Sequence, residues 1–212
     1  MQYLFFLLLT LLVAQCSEIP NESSSCCQEN DAAQDTIAPT NGKDTVIEVD
    51  AIPETLAHIL IARRYEGVPL VDTINMFLSS VGLPPGNPWC SAFLSFILDE
   101  AEVSEPSVRS GLARNFVYQS PERLIIPAGR VLAGVADVPE GSIVVFQRGN
   151  TKFGHNGINT KEWSGQRGIY ISGNTSPPSG GSEASGGGVW EKPAWINPNA
   201  VLQIREFVLV NY

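Results

Sequence analysis

One cysteine stands where a helix should begin. In Asn87-Pro88-Trp89-Cys90-Ser91-Ala92-Phe93, a favoured capping residue and a favoured first-turn proline directly precede Cys90. That order predicts a helix from Pro88 to about Ala101, with Cys90 in its first turn. There the unpaired N–H groups and the helix dipole favour thiolate over thiol. The thiolate is the nucleophile, and the backbone N–H groups of Cys90 and Ser91 could hold a developing oxyanion. The competing reading is a buried core cysteine. Cys90 shares a helical face with Leu94, Ile97 and Ala101.

A nucleophilic cysteine needs a base, usually histidine, and the chain has two histidines. His155, in Gly154-His155-Asn156-Gly157-Ile158, falls at an expected strand start, and its flanking glycines leave room for a substrate. His58 lies on a helical pattern among Leu56, Ile59 and Leu60 and is expected at the surface or in packing. Asn174 ends the run Ile169-Tyr170-Ile171-Ser172-Gly173-Asn174. Its amide could orient the second ring nitrogen of a histidine, and asparagine is equally at home in a turn after a strand. No metal site is expected, because zinc takes about four clustered ligands and Cys90 and His155 supply only part of such a set. Gly186-Gly187-Gly188 has no following lysine and forms no phosphate loop. Trp163, Trp190 and Trp195 could line a groove for sugar rings or pack in the core.

The elements that must hold these residues are helical first and extended later. Apolar residues recur at helical spacing from Pro53 to Tyr65 and from Leu70 to Val81. After Gly141 the pattern changes. Ser142 to Gln147, Gly168 to Ser172 and Val201 to Val210 are β-branched or apolar runs of strand length. Helices followed by strands predict an α+β domain over residues 51–212. Ser176 to Gly188 is rich in Gly and Ser and is expected to be a loop.

The 13 Lys+Arg against 22 Asp+Glu give a net charge of −9, which excludes the basic footprint of a nucleic-acid binder. Eight of the acids and one lysine fall in residues 17–50, a tract rich in Ser, Asn and Gln with no aromatic residue. It is expected to be a disordered tether. Cys26 and Cys27 within it take no assigned role. Tyr3 to Val13 is too short for a membrane span, which needs about 20 apolar residues, and fits a signal-peptide core. Cys16 directly after this leader resembles the lipidated cysteine of bacterial lipoproteins, although Gln15 departs from the small residue usual there. Residues 1–16 are therefore expected to be a signal peptide, Cys16 the lipidation site, and the protein an exported one, anchored in the cell envelope.

Taken together, the ordered segments resemble the NlpC-type and CHAP cysteine hydrolases of bacterial cell walls. Pro88-Trp89-Cys90-Ser91-Ala92-Phe93 resembles their nucleophile helix, and Leu112-Ala113-Arg114-Asn115-Phe116 the segment that follows it. Gly141 to Phe146 is similar to the Gly-Asp-Ile-Val-Val-Phe strand, Gly154-His155-Asn156-Gly157 to Gly-His-Val-Gly, and Ser172-Gly173-Asn174-Thr175 to Gly-Gly-Asn-Gln. Ser142 stands for the usual Asp and Asn156 for an apolar Val. The resemblance covers about residues 53–195.

It implies a papain-like α+β fold with the cysteine helix packed on a small antiparallel sheet. It implies cleavage of peptidoglycan amide bonds, by a stem-peptide endopeptidase or an amidase. Cys90 would be the nucleophile, His155 the base and Asn174 the third member, with Trp89 and Trp190 along the substrate groove. No cofactor and a monomer are expected; the partners are peptidoglycan and, through Cys16, the membrane. The alternatives are a non-catalytic wall-binding module on the same scaffold and a secreted toxin against a competitor's wall.

Overall fold

The structure, a computed structural model, describes residues 56–180 and 187–212. The leader, the tether and the cysteines Cys16, Cys26 and Cys27 lie outside the described residues.

The domain is α+β. Helices α1 (Ala57–Arg63), α2 (Val71–Ser80) and α3 (Cys90–Glu100) come first, followed by the single turn α4 (Asn115–Tyr118). Then come β1 (Ile125–Pro127), α5 (Ala128–Leu132), β2 (Ile143–Arg148), β3 (Gly154–Asn159), β4 (Arg167–Thr175), β5 (Gly188–Trp195) and β6 (Leu202–Val208). The six strands form one antiparallel sheet in the order β1-β6-β2-β3-β4-β5.

The alternation of side chains along each strand divides the core in two. On one face Val145, Ile158, Ile171 and Val208 pack against Phe93, Leu94, Ile97 and Leu98 of α3. On the other, Val144, Phe146, Tyr170, Ile204 and Phe207 pack with Trp163 and with Ala128 and Val131 of α5. This explains the continuous apolar run Ile143-Val144-Val145-Phe146: β2 is covered on both faces and lies between β6 and β3. Helix α3 is buried along most of its length because α1 and α2 cover one side of it and β3 and β4 the other. Gly173 permits that packing. A Cβ there would lie 2.6 Å from the Trp89 ring and 2.8 Å from Phe93, so β4 reaches the first turn of α3 only because this position has no side chain.

The expected start of α3 is corrected. Asn87 does not cap the helix; its Nδ2 donates to Pro84 O at 2.9 Å and closes the preceding turn. The helix begins two residues later than Pro88, with Trp89 at the cap position and no side-chain cap bond. Cys90 is thereby the first helical residue. The Gly/Ser-rich stretch ends at Gly188, where β5 begins as the edge strand beside β4.

Candidate active site

Cys90 at the start of α3 and His155 on β3 line one cavity of about 300 Å³, together with Asn174. Leu112, Phe153 and Leu202 supply apolar walls. Arg148 and Lys152, from the β2–β3 hairpin, supply cations, and the described lining residues include no Asp or Glu. The loop that carries Leu112 is held from behind. Buried Arg114 makes a two-pronged ion pair with Glu206 on β6. Ser95 Oγ on α3 accepts from Ser110 N at 2.9 Å and donates to Ser110 O at 3.1 Å.

Burial pushes the Cys90 thiol above its ordinary pKa. The Ser91 hydroxyl and the backbone N–H groups of Ser91, Asn156 and Cys90 pull it down without reversing that shift. The lowering expected from a helix start is outweighed: the backbone N–H groups favour the thiolate, but desolvation by burial is the larger effect. This shift favours the thiol form of Cys90. The backbone N–H of Asn156, the residue after His155, is among the groups that favour the Cys90 thiolate.

His155 is buried. Its Nε2 lies 3.0 Å from Ser172 Oγ. The Phe146 and Tyr170 rings stand 5.6 Å and 6.2 Å from its own ring. Asn174 lies further along β4 with φ of 54°, where the pairing of β4 with β5 shifts register between Ser172 and Thr175. It borders the cavity at intermediate burial. Ser172, the residue seated against Nε2, was not singled out from the sequence. Its signal lay in the alternation along β4, which puts Ser172 on the face of Tyr170.

Trp89 and Trp190, expected along a substrate groove, do not line this cavity. Trp89 is buried and stacks on Phe77 at 5.8 Å, so it serves the core. Trp190, partly buried, borders neither this cavity nor the neighbouring cleft. That cleft shares Leu202 with the cavity and is bordered by Phe146, Tyr170, Lys192 and Trp195. Trp163 is a core residue.

Of its two expected settings, surface or packing, His58 takes the packed one and is fully buried. Its Nε2–H donates to Gly141 O at 2.7 Å, so its Nδ1 is the acceptor for the Tyr212 hydroxyl at 2.5 Å. This bond pattern joins α1 to the turn before β2 and to the C-terminal residue, away from the cavity. Burial lowers its pKa, and the bond to Gly141 opposes that only in part.

No family model and no curated relative matches this chain.

Proposed function

We propose that this chain is a cysteine hydrolase acting on amide bonds of peptidoglycan, on a papain-like scaffold of the NlpC/CHAP kind. The observation that carries the reading is the shared cavity of Cys90 and His155. A thiol at a helix start and a histidine on the adjoining strand are the two parts that amide cleavage through a thioester requires.

The chemistry then runs in two stages. His155 takes the Cys90 proton as sulfur bonds to the substrate carbonyl carbon. The charge that develops on the carbonyl oxygen is met by backbone N–H groups at the start of α3, Cys90 and Ser91. Collapse breaks the C–N bond, and His155 returns its proton to the leaving amine. Water, deprotonated by His155, then cleaves the thioester and releases the acid and the free thiol. Asn174 contributes a polar contact at the rim. Arg148 and Lys152 suit a substrate that carries carboxylates, as stem peptides do. In the same reading the chain is exported and held at the envelope through Cys16.

The test is incubation of the purified domain with peptidoglycan and mass spectrometry of the soluble fragments. New amine and carboxyl ends, lost in Cys90→Ala, support the hydrolase. Sedimentation of the domain with the wall and no released fragment supports the wall-binding module instead. The fragment masses also distinguish amidase from endopeptidase.

A further inference from the structure

We infer that Ser172 is the residue that positions His155 for proton transfer, a role that the family resemblance gives to Asn174. The inference rests on the hydrolase reading above.

Three features of the β-sheet support it. Ser172 and His155 are both buried, and Ser172 Oγ lies 3.0 Å from Nε2. The space they meet in is kept open by Gly157. A Cβ at that position would stand 2.8 Å from Ser172 Cβ and 2.7 Å from the Tyr170 ring. The glycine two residues after His155 thus lets the β4 side chains reach the histidine. Finally, the next residue, Gly173, seats β4 against Trp89 and Phe93 at the start of α3. Ser172 is therefore held in a fixed relation to the helix that carries Cys90. Asn174 follows the register shift in β4–β5 pairing and sits at the cavity rim.

The chemical consequence follows from the tautomer. A hydroxyl that accepts from Nε2–H keeps the proton on Nε2 and the lone pair on Nδ1. Nδ1 is then the base for the Cys90 thiol. The same hydroxyl oxygen steadies the imidazolium formed when Nδ1 is protonated. No bond to Ser172 is made or broken.

Iodoacetamide alkylation of Cys90 reads this directly, without any assumption about the substrate. In Ser172→Ala the plateau rate should fall by up to about tenfold, the range of one neutral hydrogen bond. The acidic limb of the rate profile, set by His155, should move to lower pH because the imidazolium has lost its acceptor. Ser172→Thr should restore both. Asn174→Ala should keep the wild-type alkylation profile and change KM for substrate instead. Among the described residues, Cys90 on α3, Tyr170 on β4 and Arg148 and Lys152 on the hairpin surround the ring or its cavity. All are retained in these variants, so a shift reports Ser172. ¹⁵N shifts of the neutral His155 ring in the unaltered protein provide a reading independent of mutation, and should give the Nε2–H tautomer. An Nδ1–H tautomer, an unshifted Ser172→Ala profile, or the same shift in Asn174→Ala would each overturn the assignment. Absence of peptidoglycan cleavage alongside the expected alkylation shift would remove the substrate and leave the Cys90–His155–Ser172 arrangement standing.

Discussion

Asn156 imposes a cost that can be measured. It sits in β3 opposite Val145, on the face that packs against α3, and is fully buried. Both polar atoms of its side chain, Nδ2 and Oδ1, have no hydrogen-bond partner among the described residues. A buried polar group left unpaired costs about 1–3 kcal/mol. Valine is similar in size, apolar, and well suited to a strand. Asn156→Val should therefore stabilise the domain by about 1–3 kcal/mol. For a domain of this size, each kcal/mol moves the midpoint by roughly 2–4 °C, so Tm should rise by about 2–12 °C. Differential scanning calorimetry on the domain measures this, with Asn156→Asp as the contrast, since an unpaired buried carboxyl should lower Tm. An unchanged or lower Tm in Asn156→Val would show that the amide is hydrogen-bonded in solution, for example to an internal water.

Three further predictions concern other parts of the molecule. Arg148→Glu and Lys152→Glu should each raise KM for carboxylate-bearing substrates by roughly two- to fivefold, the range of exposed charge pairs. The effect should shrink as salt is added; equal KM changes for amidated, uncharged substrates would refute an electrostatic role. His58 is held neutral by burial, with its pKa below the ordinary value of about 6.5. The unfolded chain binds that proton first, so the contribution is intact above about pH 6.5 and is lost as pH falls toward the folded value. Tm measured from pH 8 to pH 5 should drop across this window, and His58→Gln should flatten the drop; parallel curves would assign the acid sensitivity to other groups. Cys16→Ser should release the protein from membranes and abolish fatty-acid labelling, because stable anchoring needs more than one acyl chain and this cysteine is where they would be attached. A variant that still fractionates with membranes would indicate another mode of attachment.

The elements legible in the sequence are those whose apolar residues follow one period. Helix α2 carries its buried Phe77 and Leu78 on a polar-faced repeat, and β2 is four consecutive apolar residues flanked by Ser and Gln. Strand β3 is different. Gly154-His155-Asn156-Gly157-Ile158-Asn159 has one strand-favouring residue, and it is extended because β2 and β4 pair with it on either side. Local propensity could suggest where it starts but not that it is the central support of the site. β5 was hidden for the opposite reason. Pro193 argues against a strand in the middle of a sheet, yet β5 lies at an edge, where a missing N–H is tolerated.

The site divides along the same line. Cys90 and His155 could be found because a cysteine after Asn-Pro-Trp and a histidine between glycines are local patterns. The contact of His155 with Ser172 joins residues on two strands, and it exists only in one register of β3 on β4. The state of the thiol is further from the sequence still. The helix start supplies N–H donors that favour the thiolate, and this part was predictable. The opposing part is burial, which depends on how α3 is enclosed by Trp89, Phe93 and the strands beneath them. Since burial is the larger of the two, a motif that prepares a cysteine for ionisation here holds it protonated. In the proposed mechanism the thiolate would then form by proton transfer to His155 as the substrate is attacked, and the orientation of that imidazole, rather than the helix dipole alone, would set the rate.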